Sequence, residues 1–174
     1  MLQETQHLKE IETVESRTMD YSKVTMSVVM MADQANLYGN IHGGEILKVM
    51  DTAAGVAAHK HARSIVVTAM IDEVTFHLPI RVGNLVTYHA QVIYAGKTSM
   101  EVAVNVTIED LYKDQSTQKA LTAFFTMVAI GKDGVPKPVP SLQPLTEEER
   151  RLFEQGRKRY LRHKEIREQI GICG

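Results

Sequence analysis

Asn36, His42, Gly43, Gly44 and Asp51 fall within one short stretch, Ala35-Asn36-Leu37-Tyr38-Gly39-Asn40-Ile41-His42-Gly43-Gly44 running on to Asp51. An asparagine precedes a glycine-rich turn, the turn opens a helix, and the helix carries an acid about two turns in. Paired glycines at a helix start leave backbone N–H groups exposed and let a ligand come close. With the helix dipole behind them, those groups suit an oxygen that gains negative charge. A carboxylate nearby can take a proton from water. Together these are the minimum parts for adding water to a carbonyl.

Asp51 is set apart by its neighbours. Leu47, Asp51, Ala54 and Ala58 share one helical face at spacings of four, seven and eleven. The rest of that face is apolar, so the pattern points Asp51 inward. A buried acid is costly unless it is paired or hydrogen-bonded. A structural aspartate held by a backbone amide or a neighbouring subunit is the other reading. The adjacent His42-Gly43-Gly44 and the upstream Asn36 favour chemistry.

The elements that must position these residues follow from periodicity. Residues 1–16 read as a polar arm. Val24, Met26, Val28 and Met30 alternate in a strand over 18–30. A loop over 31–43 leads to an alanine-rich helix over 44–62, with Ile46, Leu47, Met50, Ala53, Ala54, Ala57 and Ala58 inward. So many small residues predict very close packing around it. A second strand covers 66–77 and ends before Pro79. Val86, Tyr88, Ala90, Val92 and Tyr94 alternate in a third. Met100, Val102, Val104, Val106 and Ile108 do so in a fourth. Residues 118–131 are apolar on both faces and read as a strand covered on both sides. Short turns imply antiparallel neighbours. The fold class is α+β, a curved antiparallel sheet wrapped around one long helix.

Residues 17–134 form that domain. Within 135–174, prolines at 136, 138, 140 and 144 make a stiff linker. Thr146 and Glu149 form a capping box for a helix of about 20 residues. From Arg150 to Lys164 that helix carries Arg150, Arg151, Arg157, Lys158, Arg159, Arg162 and Lys164 against one acid, Glu154. The run reads either as a solvated face polarised with its own dipole or as a landing place for phosphates.

Length, at 174 residues, suits one domain with an appendage. A net charge of −1 gives no global attraction to nucleic acid or to an acidic membrane surface. The single cysteine, Cys173, cannot form an intrachain disulfide, and a reducing, cytoplasmic setting fits. The polar N-terminus is not that of a signal peptide, and no apolar run spans a bilayer. His59 and His61 diverge on the helix, His77 and His89 sit on strands, and no cluster has metal-ligand spacing. No serine lies in a nucleophile elbow.

The string Ala35–Gly44 followed by Ile46-Leu47-Lys48 and Met50-Asp51 resembles the hot-dog fold acyl-CoA thioesterases. Within them it is most similar to the cytosolic acyl-CoA hydrolases, the group of the brain-type enzyme and its bacterial relatives. Pro79-Ile80-Arg81-Val82-Gly83-Asn84 and Ala95-Gly96-Lys97-Thr98-Ser99-Met100-Glu101-Val102 carry the same likeness. It covers roughly residues 18–167. The resemblance implies a hot-dog fold of five or six strands and hydrolysis of fatty acyl-CoA to free acid and coenzyme A. It implies no cofactor beyond the coenzyme A of the substrate itself. It also implies homo-oligomers, commonly trimers of dimers, with sites at the dimer interface and the Asn and Asp of one site drawn from different protomers.

On that reading Asp51 is the general base, or less favourably a nucleophile. Gly43 and Gly44 polarise the thioester carbonyl, and Asn36 holds water or substrate. His42 lines the pocket rather than acting as a base. Lys97, Thr98 and Ser99 would meet the phosphates of coenzyme A. Arg157, Lys158 and Arg159 would add charge if the tail helix folds back, whereas Leu152, Phe153 and Tyr160 would instead pack an oligomer. Two rivals remain at this level: a 3-hydroxyacyl dehydratase using His42 and Asp51, and a non-catalytic acyl-CoA-binding protein. Neither nucleic acid nor membrane is expected as a partner.

Overall fold

A computed structural model describes residues 16–114 and 116–169; the arm through residue 15 and Cys173 lie outside the described residues. In chain order the elements are β1 (Ser16–Thr18), α1 (Met19–Ser22), β2 (Val24–Val29), a 3-10 turn (Ala32–Gln34), α2 (Gly43–Ala62), β3 (Ile65–Phe76), β4 (Asn84–Ala95), β5 (Ser99–Asp110), β6 (Gln118–Ile130), β7 (Ser141–Gln143) and α3 (Glu147–Gln169).

The five long strands form one antiparallel sheet in the order β2-β4-β5-β6-β3. Short turns join β4, β5 and β6 as sequential neighbours, and α2 separates β2 from β3 in the chain. The sheet wraps α2. Ile46, Met50, Ala53, Ala54, Ala57 and Ala58 are buried against Val86, Tyr88, Val92, Val102, Val104, Phe125 and Met127. The alanines remove bulk on this face and let the helix sit deep in the curve. This is the hot-dog architecture that the resemblance implies.

Two segments depart from the sequence reading. The strand expected over 18–30 is only Val24–Val29, because Met19–Ser22 makes a helical turn whose Met19 and Ser22 are buried. The Ser22 hydroxyl accepts the Val92 amide at 3.0 Å and donates to the Met19 carbonyl at 2.9 Å. The proline-rich stretch packs back onto the domain. Its Lys137 and Val139 amides donate to the Ala129 and Lys97 carbonyls, and β7 pairs in parallel with β1.

The outer face of the sheet is covered by α3. The capping box forms as the sequence predicts: Glu149 N–H donates to Thr146 Oγ1, and Thr146 N–H donates to Glu149 Oε2, both at 3.1 Å. A register shift between Val92 and Tyr94 turns Ile93 and Tyr94 toward α3. Gly156 fits there because a Cβ would come within 2.8 Å of Tyr94 Cβ. Phe153 and Tyr160 stack on Tyr94 with ring centroids 5.1 Å away. Two of the side chains read as oligomer packing therefore seal their own sheet.

Strand β3 is an edge. Ile65, Val67, Ile71 and Phe76 along it are 49%, 43%, 44% and 55% exposed. A long apolar edge without a neighbour is a template for pairing with another chain.

Candidate active site

Helix α2 starts one residue ahead of the sequence reading, with His42 as N-cap and Gly43 as first residue. The Gly43 and Gly44 amides lie in the first turn, where a helix has no carbonyl of its own to offer them. A Cβ on Gly43 would meet the Phe76 ring at 3.1 Å, whereas one on Gly44 would meet nothing within 4 Å. A side chain at Gly43 would crowd the Phe76 ring on β3, whereas Gly44 faces open space.

The loop ahead of the helix is held by Asn36. Its Oδ1 accepts the amides of Tyr38 at 2.9 Å and Asn40 at 3.3 Å. That ties the tight turn around Gly39, whose φ is 76°. The Nδ2 amide adds two donors to that acceptor. Asn36, Leu37, Tyr38 and His42 line a cavity of about 540 Å3. Leu37 and Tyr38 project from it almost fully exposed. A second cavity, of about 310 Å3, lies beside it between Asn40, Ile46, Phe76 and Leu78.

Asp51 does not point into the core. It is half-buried on the flank of α2 that faces β3. The helical stripe fails here because sheet curvature leaves that flank under the edge strand rather than under the middle of the sheet. Its Oδ1 accepts the hydroxyl of Thr68, on β3, at 2.6 Å. A hydroxyl has one proton, and the carboxylate takes it in preference to the Met127 thioether 3.5 Å away. Thr68 thereby fixes one oxygen of Asp51. Sequence reading missed Thr68, since threonine is ordinary in a strand and the contact spans 17 positions.

The two halves of the site lie apart. Gly43 and Asp51 are separated by eight residues of continuous helix, about 12 Å along its axis. Among the described residues no hydrogen bond joins Asn36, His42, Gly43 or Gly44 to Asp51.

The residues expected to meet phosphates divide as well. Lys97 is exposed, Thr98 half-buried and Ser99 buried, in the turn where Gly96 N–H donates to Ser99 O at 2.8 Å. Arg157 and Lys158 are exposed on α3, with Arg157 3.5 Å from Glu154. Arg159 is engaged elsewhere. It pairs with Glu73 at 2.5 Å and lies 3.6 Å over the Phe124 ring.

That engagement belongs to a polar cluster beneath α3. Glu101 and His163 are buried, and the Thr126 hydroxyl lies 3.0 Å from Glu101 Oε1 and 3.3 Å from His163 Nδ1. His163 Nε2 is 2.9 Å from Asp72, which with Glu73 also binds Arg162. Burial pushes the Glu101 carboxyl pKa up, partly offset by Thr126 and His163. Burial opposes ionisation of Asp72 too, but His163 and Arg162 outweigh it and hold its pKa down. Arg159 and Arg162 lower that of Glu73. Among the described residues no group of three or more His, Cys, Asp or Glu is placed to hold a metal ion, and no helix is long and apolar enough to cross a membrane.

Residues 38–114 match the family described as the thioesterase superfamily. The cytosolic acyl coenzyme A thioester hydrolase of Mus musculus is 36% identical over 155 residues, covering 88% of this chain. The chain spans 41% of that relative's length. An acyl-CoA hydrolase from Staphylococcus aureus, solved with butyryl coenzyme A, coenzyme A and coenzyme A disulfide, superposes with a TM-score of 0.83 at 32% identity, covering 90% of this chain and 94% of its own. The same enzyme has been solved with an asparagine, an aspartate and a threonine each replaced by alanine. An apo-hexameric acyl-CoA thioesterase is 37% identical with a TM-score of 0.83, covering 88% of this chain and 97% of its own.

Proposed function

The chain belongs to the thioesterase superfamily, and we propose that it hydrolyses fatty acyl-CoA to free acid and coenzyme A, in the cytoplasm and without a metal or redox cofactor. The observation that carries this reading is the carboxylate of Asp51 held at 2.6 Å by Thr68 beside an apolar strand edge. A thioester is already activated, because sulfur donates poorly to the carbonyl and leaves well as a thiolate. The protein needs to supply a positioned water, a base and support for the developing oxyanion. Asp51 removes a proton from water as it attacks the carbonyl carbon. The Gly43 and Gly44 amides receive the oxyanion. Asn36 Nδ2 orients water or carbonyl. The tetrahedral adduct collapses with loss of the coenzyme A thiolate, which takes up the proton. Lys97, Thr98 and Ser99, with Arg157 and Lys158, draw the phosphates toward the far hairpin.

Geometry favours a site made by two chains. A reacting carbonyl must sit about 3 Å from both oxyanion donors and attacking water. Within one chain Gly43 and Asp51 are about 12 Å apart. Antiparallel pairing of two β3 edges would bring the Asn36–Gly44 end of one protomer to Asp51 of its partner, and would cover Val67, Ile71 and Phe76. A dimer of this kind, and a trimer of such dimers, is the assembly we propose, in line with the hexameric relative.

Thiol release from acyl-CoAs of short, medium and long chains tests the activity. Binding of acyl-CoA without thiol release would overturn it in favour of a sensor. Mixing Asn36→Ala with Asp51→Ala protomers tests the shared site: two inactive variants should recover part of the activity after subunit exchange.

A further inference from the structure

Strand β3 touches both halves of the proposed site. Thr68 holds Asp51, and the Phe76 ring would meet a Cβ on Gly43 at 3.1 Å. Between these two contacts the strand is gripped from the other side of the sheet. Arg159 of α3 lies 2.5 Å from Glu73 Oε2, and Arg162 lies 3.1 Å from Glu73 Oε1 and 2.5 Å from Asp72 Oδ2. Arg159 is steadied in turn by the Phe124 ring of β6, 3.6 Å beneath its guanidinium.

Successive residues of a regular strand point to opposite faces. Asp72 and Glu73 both reach α3 because the chain is bulged there. Asp72 faces Phe124 and Thr75 faces Thr122, so β3 carries one more residue than β6 over that step. Glu73 has a φ of 50°, one of two non-glycine residues at positive φ among the described residues. A Cβ makes that conformation unfavourable, and glycine commonly fills it in a bulge.

The bulge decides where Phe76 goes. Residues directly opposite across a ladder share a face. An earlier shift, just after Thr68, puts Met70 and Asp72 on the α3 side, opposite Thr126 and Phe124. Plain alternation from Asp72 would keep Phe76 on that side. The extra residue at Glu73 returns it to the α2 side, opposite the buried Leu121, where its ring lies beside Gly43.

We propose that Glu73 is a positioning residue for the hydrolysis, clamped by Arg159 and Arg162 of α3 in the bulge that sets Phe76 against the Gly43 turn. The proposal rests on the acyl-CoA reading and deepens it. A glutamate stands where glycine would sit more easily, and its two ion pairs hold the strained backbone in place. Arg159, expected to meet phosphates, acts on the strand that shapes the oxyanion turn.

Two substitutions that differ by one methyl group test it on the full chain. Glu73→Ala and Glu73→Gly both remove the carboxylate, and only alanine carries the Cβ that disfavours the bulge. In thiol release from acyl-CoA, Glu73→Ala should lower kcat about tenfold with KM nearly unchanged, since a displaced oxyanion donor is felt in the transition state. Glu73→Gly should recover most of that loss. Arg162→Ala should lower kcat in the wild-type background and add little to Glu73→Gly; an equal loss in both backgrounds overturns the clamp. The amide chemical shift of Gly43, read by NMR on glycine-labelled protein, senses the Phe76 ring without turnover. It should move in Glu73→Ala and return in Glu73→Gly. Equal kcat in wild type and both Glu73 variants, or an equal loss in the two variants, overturns the positioning role and leaves the hydrolase standing. The expected Gly43 shifts in a protein whose wild type releases no thiol keep the bulge assignment and overturn the hydrolase instead.

Discussion

Each face of the sheet carries a carboxylate hydrogen-bonded by a threonine. On the α2 side Thr68 holds Asp51 at 2.6 Å; on the α3 side Thr126 holds Glu101 at 3.0 Å. The chemistry of the pairs is alike and their surroundings are opposite. Asp51 is half-buried at an edge strand, and no cation is within ion-pair distance of it among the described residues. Glu101 is fully buried, and His163, Arg159 and Arg162 close the cluster around it. A carboxylate with open access and a spare oxygen can act on a substrate. One sealed under a helix can only hold that helix in place.

The largest effect that separates the pairs is on turnover. Asp51→Ala should lower kcat by about a hundredfold or more while leaving Tm near that of wild type. Glu101→Ala should do the reverse, losing about 3 kcal/mol of stability by breaking a buried pair while leaving kcat largely intact. Steady-state kinetics with thermal unfolding on both variants decides; an exchange of the two phenotypes would break the comparison. Next in size, Thr68→Val should cost about tenfold in kcat and Thr68→Ser should restore most of it, because the serine hydroxyl can still hold Asp51.

How far the sequence exposed each pair follows from contact range. The Gly43-Gly44 helix start and the Thr146–Glu149 capping box rest on neighbours a few residues apart, and both were legible. So was the alanine face of α2, a periodic feature. The β1–β7 pairing was not, because three-residue strands in a proline-rich setting leave no alternation to read. Asp51 was legible as a candidate, but its inward direction was not correct: periodicity gives the face of a helix, not how far the sheet curls over it. Thr68 and the Glu101–His163 cluster were hidden, since their partners come from segments far apart in the chain. The cationic run of α3 was visible, yet its pattern does not tell Arg159 and Arg162, which reach Asp72 and Glu73, from Arg157 and Lys158, which stay exposed.

The pH dependence of α3 docking should be a smaller effect. Asp72 and Glu73 have folded pKa values below their unfolded ones, so their contribution is present above the ordinary carboxylate range and lost as pH falls. Glu101 has a raised folded pKa, so its contribution is complete below that range and lost as pH rises through the raised value. Stability of α3 should therefore climb as pH leaves the acid end, then decline. Glu101→Gln keeps a hydrogen-bonding amide and removes the titration, so the decline alone should flatten. Protease sensitivity of α3 across pH 4 to 9 measures both limbs; a Glu101→Gln profile that parallels wild type throughout would remove Glu101 from the docking.

The smallest effect contrasts two glycines, one on each side of the sheet. Gly156 lies where a Cβ would come within 2.8 Å of Tyr94 and 3.0 Å of Ile93, on a strand that cannot retreat. Gly156→Ala should push α3 away and cost about 1–3 kcal/mol, as overpacking does. Gly44 has ordinary helical φ and nothing within 4 Å of a Cβ. By packing alone, Gly44→Ala should be neutral or stabilise by up to about 1 kcal/mol, because alanine narrows the unfolded ensemble and favours helix. A glycine kept where alanine would be more stable points to close approach by something outside the chain. In the Gly44→Ala variant Tm should hold or rise while KM for acyl-CoA increases several-fold, the methyl group standing where the thioester must come near the amide. Unchanged KM with raised Tm would mean that no substrate approaches this turn, and the oxyanion site would have to be sought elsewhere along β3.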